Sequence, residues 1–322
     1  MNKKRIALII LYFGQLPQYI DVFFKSLEFN PDIDIILFTD QTLDVGLNNL
    51  IINKISFEEI RERIQNKFEF KIFLNKPYKL CDYKPAYGYI FEEELKEYDF
   101  WGHCDFDQVL GDLMKFLNND ILQKYDKIYQ HGHLCLYKNT IENNKRFMIP
   151  VGMDYKEVFT TNVICVFDEV IGMQNKYDLL GVDTYKNRDC VDILPWHDKF
   201  LRVESYLSEE EKINFNYKDQ VFFWENGKIY RAAVQNNNII YNEFNYLHFQ
   251  KRNLIKHFED INKVEAFYIT KDGFYHKNKG FNITIEDIKK YNGFNLKSEL
   301  SKRMNYHYFI LNRRINKYLR NK

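Results

Sequence analysis

Apolar residues run without a break from Ile6 to Phe13, recur at helical spacing from Pro17 to Phe29, and fill most of Ile33–Phe38 before Thr39-Asp40. Short continuous apolar runs suit strands covered on both faces, whereas a period near 3.6 suits a helix with one buried stripe. The pattern predicts a strand over Arg5–Tyr12, a helix over Pro17–Phe29 and a strand over Ile33–Phe38. Ser56 followed by Glu59 forms a capping box, which opens a helix over Phe57–Lys67. Pro85 near a start and Ala86, Ile90, Phe91 and Leu95 behind it predict a helix over Lys84–Lys96. A strand over Tyr98–Cys104 and a helix over Asp112–Leu117 follow. Strands alternating with helices imply parallel pairing in an open α/β sheet with both faces covered.

Beyond about residue 125 the texture becomes richer in strands: Lys127–Gln130, Leu134–Lys138, Asn162–Phe167 and Phe244–Phe249. Val221–Trp224 and Lys228–Arg231 flank Glu225-Asn226-Gly227 and read as a hairpin with an Asn-Gly turn. The simplest partition is one α/β domain over residues 1–260 and a basic, partly helical C-terminal extension over 261–322.

Charge adds a local rather than a global signal. The net charge of +1 gives no bias toward nucleic acid, which is not an expected partner. From Ser301 to Lys322, however, seven Lys and Arg residues stand among aromatic and aliphatic ones with no acidic residue. That mixture suits either a peripheral helix on an anionic membrane face or a docked helix with a solvated basic side. The five cysteines are widely spaced, without a C-x-x-C, which points to a reducing compartment. The basic start and apolar run at the N-terminus could open a signal peptide, but no small-residue cleavage site follows, and a buried first strand is the better reading. No segment has the roughly 18 apolar residues of a spanning helix. The expected location is cytoplasmic, or peripheral on the inner face of the membrane.

Candidate chemistry centres on Asp105-Phe106-Asp107, directly after the strand Tyr98–Cys104. Two hard carboxylates suit Mg²⁺ or Mn²⁺, which complete their shells with water and substrate phosphates. His248 could supply a third, imidazole ligand, and Lys251 or Arg252 could meet diphosphate oxygens. Lys79, Asp82 and Lys84 precede the helix at Pro85 and could touch ribose and phosphate. The alternative is an N-capping Asp82 with flanking surface lysines. In open α/β sheets ligands sit beyond the carboxyl ends of strands, so the segments after Tyr12, Phe38 and Cys104 are candidates for one pocket. Asp168 and Glu169 are candidates for contact with an acceptor hydroxyl or for a general base, with Asp192, Asp198 and Glu225 competing. His131-Gly132-His133 and Trp196-His197-Asp198 fit acceptor binding or plain packing.

Together, the Asp-x-Asp after a buried strand, the Lys-x-x-Asp ahead of a helix and the C-terminal His followed by Lys resemble the GT-A-fold glycosyltransferases. The likeness is nearest to the retaining glycogenin and lipooligosaccharide-galactosyltransferase type. The stretch from Tyr78 to Asp112 also resembles a bacterial family of capsule and surface-polysaccharide glycosyltransferases. The resemblance implies a Rossmann-like mixed sheet flanked by helices. It also implies metal-assisted, retaining transfer of galactose or glucose from a UDP-hexose to a glycan or lipid-linked saccharide. By position, Asp105, Asp107 and His248 would hold Mn²⁺ or Mg²⁺, and Lys251 would meet the diphosphate. Tyr12, Phe13 and Gly14 would line the base and ribose pocket with Asp40 nearby, while Lys79 and Asp82 would touch the nucleotide-sugar. The relatives carry Arg three residues after the position of Asp82, where this chain has Pro85, and space their His and Lys more widely. Two other classes compete. A nucleotidyl- or phosphotransferase would carry a Gly-rich phosphate loop after the first strand, which Tyr12-Phe13-Gly14-Gln15 is not. A non-catalytic carbohydrate-binding protein would have no need to bring Asp105, Asp107 and His248 together.

Overall fold

The computed structural model describes residues 5–186, 188–193, 199–203, 215–250 and 252–292, together with residues 300, 301, 304, 307, 308 and 311. It is an α/β protein whose chain divides into two compact units. Unit 1 comprises residues 1–16, 30–106 and 114–187, and unit 2 comprises residues 17–29, 107–113 and 188–322. The boundary expected near residue 260 falls inside unit 2, where strands on both sides of it share one sheet.

Unit 1 is built on a seven-stranded mixed sheet in the order Leu50–Lys54, Ile33–Thr39, Ile6–Tyr12, Phe100–Cys104, Leu134–Lys138, Lys127–Ile128, Thr184–Tyr185. The first four strands are mutually parallel, and Leu134–Lys138 then runs antiparallel to Phe100–Cys104. The apolar run Ile6–Ile10 is buried throughout because strands flank it on both edges and side chains cover both faces. From Ile6–Tyr12 the chain proceeds to one side of the sheet and then returns to the other at Phe100–Cys104. The strand order therefore reverses between these two strands, and their carboxyl ends flank the switch point. Gly102, in the middle of Phe100–Cys104, lies between Ile6–Tyr12 and Leu134–Lys138, and a β-carbon there would collide with the Cys135 carbonyl oxygen and the Leu8 side chain.

The helix Phe57–Gln65 begins at the expected capping box: Glu59 N–H donates to Ser56 Oγ, and Ser56 N–H donates to the Glu59 carboxylate. The single helix expected over Lys84–Lys96 is instead a 3₁₀ segment, Pro77–Ala86, followed by single helical turns at Tyr87–Ile90 and Glu92–Leu95. Phe91, at φ −110° and ψ 33°, leaves helical geometry and separates the two turns. The expected strand Asn162–Phe167 is irregular chain. Its backbone groups bond to the buried side chains of Lys79 and Asp82 rather than to a neighbouring strand.

Unit 2 holds two sheets. A four-stranded sheet runs Leu201–Arg202, Cys190–Asp192, Tyr246–His248, Gln108–Leu110. A six-stranded sheet runs Asn238–Phe244, Lys228–Gln235, Gln220–Glu225, Ala266–Ile269, Gly273–His276, Ile255–Lys256. The expected hairpin is present, with Asn226 and Gly227 at positive φ of 47° and 81°, as a two-residue turn between right-twisted strands requires. The expected strand Phe244–Phe249 is split at buried Asn245: Phe244 ends a strand of the six-stranded sheet, and Tyr246 begins one of the four-stranded sheet. The helix Ile20–Glu28 buries Val22, Phe23, Phe24 and Leu27, and Ser26 Oγ accepts Leu110 N–H. Trp224 stacks on Phe267, meets Phe29 edge-on and donates its indole N–H to the Leu110 carbonyl. Among the described residues no helix is long and apolar enough to cross a membrane.

Gly102→Ala should destabilise the fold by about 1–3 kcal/mol, the usual cost of forcing extra volume into a packed core. Urea denaturation should show a lower midpoint, and an unchanged midpoint would contradict the close approach of the two strands.

Candidate functional site

At the switch point of unit 1, Gly14 follows the end of Ile6–Tyr12 with φ 96°, a conformation that favours glycine. Its N–H points at the Asp40 carboxylate, 3.1 Å from Oδ1 and 3.2 Å from Oδ2. Asp40 stands directly after Ile33–Thr39 and also accepts the Gln41 side-chain amide at 2.8 Å. The Gln41 bond, with the Gly14 N–H behind it, holds the Asp40 carboxyl below its ordinary range. Phe13 packs edge-on against Phe57, and the Tyr12 and Phe106 rings lie 5.2 Å apart. Tyr12, Phe13, Gly14 and Asp40 are thus gathered at the carboxyl ends of adjacent parallel strands.

On the other side of the switch point the buried Lys84 ammonium lies 2.8 Å from Asp105 Oδ1 and 3.1 Å from Asp168 Oδ2. It also donates to the Gly132 carbonyl at 2.9 Å. Burial alone would discharge this lysine, but Asp105 and Asp168 outweigh it and hold the ammonium charged well above the ordinary lysine range. Burial pushes the Asp168 carboxyl up to about 7, assisted by the charges of Glu169 and Asp105 and opposed by Lys84. Gly132 is glycine for steric reasons, since a β-carbon would stand 2.5 Å from Asp168 Oδ2 and 2.9 Å from Glu169 Oε1. His103, on Phe100–Cys104, is fully buried. Burial, followed by the charges of Lys84 and Lys127, keeps it neutral.

Unit 2 carries a second cluster. Tyr246–His248 pairs in parallel with Cys190–Asp192 (Leu247 opposite Val191), so His248 and Asp192 come next in register. On its other edge the same strand pairs antiparallel with Gln108–Leu110, and Phe249 N–H donates to the Asp107 carbonyl at 2.9 Å. Asp192, His248 and Asp107 therefore stand side by side at one end of three adjacent strands, and all three are buried. His248 Nδ1 is 3.0 Å from Asp192 Oδ1, and its Nε2 is 3.5 Å from Asp107 Oδ2. Burial disfavours the imidazolium, but Asp192 and then Asp107 overcome it and raise the ring to about 10. The donor set fits a hard divalent cation: one carboxylate and one imidazole nitrogen face each other across a gap that an ion about 2.1 Å from each can span.

Asp107 and His248, two of the three expected metal ligands, thus come together. Asp105, the third, belongs to unit 1, where its carboxylate pairs with Lys84. Lys79 and Asp82 are not where a nucleotide-sugar could touch them. The Lys79 ammonium donates to Asp82, the Val158 carbonyl and the Val163 carbonyl, which uses all three of its protons. Asp82 accepts Cys165 N–H and Phe167 N–H in addition. The pair is a buried strut that fixes the chain just ahead of Asp168. Arg252 donates to the Ile193 carbonyl at 3.0 Å, beside the end of the Asp192 strand. Glu225 is tied to Lys277 and Gly280 N–H within the six-stranded sheet region and is no base candidate. The His131 and His133 rings stack on each other, 5.2 Å apart. Lys251 and Trp196-His197-Asp198 lie outside the described residues. The sequence offers no sign of the roles of His103 and Gly132. Asp192 stands among the base candidates there, not beside His248.

Residues 8–278 match the model of DUF6625, a family of unknown function. No curated protein matches the sequence.

Asp82→Ala would leave Lys79 as a buried unpaired cation and should cost about 3–5 kcal/mol in chemical denaturation, and a loss below 1 kcal/mol would refute the strut. The raised Asp168 carboxyl makes a pH prediction. A folded pKa above the unfolded value of about 3.9 gives stability that is full below that pH and lost as pH rises through about 7. Wild type should therefore lose stability relative to Asp168→Asn between pH 4 and pH 7.5 in thermal melts, and parallel curves would contradict the assignment.

Proposed function

The chain belongs to the DUF6625 family, and for this member we propose metal-dependent transfer of a hexose from a nucleoside-diphosphate sugar, on a GT-A type of fold. The observation that carries the reading is the pairing of buried Asp107 with His248, whose other ring nitrogen is braced by Asp192. An unrelated surface Asp-x-Asp would not have an imidazole, itself braced by a second carboxylate, buried against its second aspartate.

Asp107 and His248 would hold Mn²⁺ or Mg²⁺. A divalent cation supplies Lewis acidity that offsets the charge of a diphosphate leaving group. The chain's own groups do the rest of the work in this reading. The exposed Asp40 carboxylate, held in place by Gly14 N–H and the Gln41 side chain, offers an acceptor at the strand ends for a ribose or base. Tyr12 and Phe13 contribute apolar surface beside them. Lys84 neutralises Asp105 and Asp168, so that an acidic pocket does not repel an anionic donor. Asp168 is buried against Lys84, whereas Glu169 is only half-buried, which makes Glu169 the carboxylate that an acceptor hydroxyl can reach. The transfer is taken as retaining, from UDP-galactose or UDP-glucose to a glycan or lipid-linked saccharide, in line with the sequence resemblance.

Thermal shift with Mn²⁺ across UDP-, GDP-, CMP- and dTDP-sugars should show stabilisation by one nucleotide class that EDTA removes; no metal-dependent stabilisation by any of them would sink the reading. With the donor found, Asp107→Ala should abolish sugar transfer while leaving the circular dichroism spectrum unchanged, and retained transfer would refute the metal role.

A further inference from the structure

Neutral imidazole has one nitrogen that donates and one that accepts, and a neighbouring acceptor decides which is which. In unit 2 that neighbour is Asp192, whose Oδ1 lies 3.0 Å from His248 Nδ1. An ionised carboxylate only accepts, so the contact places a proton on Nδ1, and whenever the ring is neutral, as a metal ligand must be, the lone pair falls to Nε2, on the side of Asp107. Asp192 is itself held. Its Oδ1 accepts Ile193 N–H at 2.7 Å, and its Oδ2 accepts the Gln250 side-chain amide at 3.2 Å. A carboxylate gripped by these donors cannot swing away from Nδ1. Gln250 reaches it from a backbone φ of 49°, a left-handed conformation that residues with a β-carbon rarely adopt and that tends to persist where a side chain must be aimed.

We infer that Asp192 is a positioning residue for a divalent-cation site: with Gln250 bracing it, it fixes His248 as the Nδ1–H tautomer, so that Nε2 is the nitrogen presented beside Asp107. The inference rests on reading Asp107 and His248 as metal ligands and adds what makes that imidazole competent. A carboxylate behind a ligating histidine orients the ring and raises its basicity, and the loss of such a partner typically weakens metal binding about 10- to 100-fold. The same contacts remove Asp192 from the candidates for a general base, because both of its oxygens are already engaged by protein donors.

The test is titration of the full chain with Mn²⁺, alone and with UDP, followed by the electron paramagnetic resonance signal of the free ion. Wild type should bind, D107N and H248Q should lose binding, and D192N should bind about 10- to 100-fold more weakly. In an H248Q background D192N should add no further loss, a cycle that a merely structural role would not close. Long-range ¹H–¹⁵N spectra of ¹⁵N-histidine protein loaded with Mg²⁺ should show His248 as the Nδ1–H tautomer in wild type and a mixture in D192N. Wild-type affinity in D192N, with D107N and H248Q impaired, overturns the inference while sparing the metal site. Wild-type affinity in all variants, or no Mn²⁺ binding by wild type in either condition, overturns the metal reading and the inference with it. Should D192N fail to fold, the wild-type spectrum decides: an Nε2–H tautomer at His248 in the loaded protein overturns the inference.

Discussion

The Lys84 ammonium is the charge on which the interior of unit 1 depends. Two carboxylates, Asp105 and Asp168, lie within 3.1 Å of it, and the buried Asp168, whose carboxyl burial already raises, would be harder still to ionise without that cation. The cost of burying the lysine is met by the same two groups and by the Gly132 carbonyl. Each member is therefore intelligible only through the others. Gly132 lacks a side chain so that Asp168 and Glu169 can approach its backbone, and the Lys79–Asp82 strut holds the chain that delivers Asp168. What looks like a run of alternating basic and acidic residues from Lys79 to Lys84 is two separate devices. One is a structural ion pair closed on itself; the other is a cation shared between two carboxylates.

Unit 2 handles its charge differently. The imidazole of His248 stands between Asp107 and Asp192, with one ring nitrogen toward each carboxylate. Without a metal ion, both nitrogens of His248 face carboxylates and the ring is held as a cation. Beside a divalent cation, the same two carboxylates favour a neutral ring with its proton on Nδ1. One set of contacts thus accommodates two charge states, which suits a site that exchanges a proton for a metal.

Much of the scaffold was legible in the sequence. The strands Ile6–Tyr12 and Ile33–Thr39, the capping box at Ser56 and the Asn-Gly hairpin all follow from local chemistry, and each lies close to its expected place. The pairing of His248 with Asp107 was legible as a possibility, because metal-ligating residue types are few. The misreadings share a cause: side chains whose partners are distant in sequence. Lys79 and Asp82 look like surface or ligand-binding residues until Val158, Val163, Cys165 and Phe167 are seen to bond to them. The apolar run near Asn162–Phe167 reads as a strand, yet its backbone is satisfied by those two side chains instead. Asp192 is 56 residues from His248, and only the parallel register of their strands makes them neighbours.

The break at Asn245 bears on how this protein can vary. Asn245 is fully buried; its N–H donates to the Asp189 carbonyl, its own carbonyl accepts Gly111 N–H, and its side chain accepts Tyr246 N–H. One stretch of chain therefore belongs to the six-stranded sheet up to Phe244 and to the four-stranded sheet from Tyr246, with a single residue to change from one to the other. Because side chains alternate along a strand, one residue added or removed between Asn238 and His248 would turn His248 to the opposite face. In this stretch the number of residues is fixed more strictly than their identity, although much of Asn238–Glu243 is only half-buried. Changes of length are better absorbed at the Asn236-Asn237 turn, where both residues already sit at positive φ and the strands on either side can keep their registers.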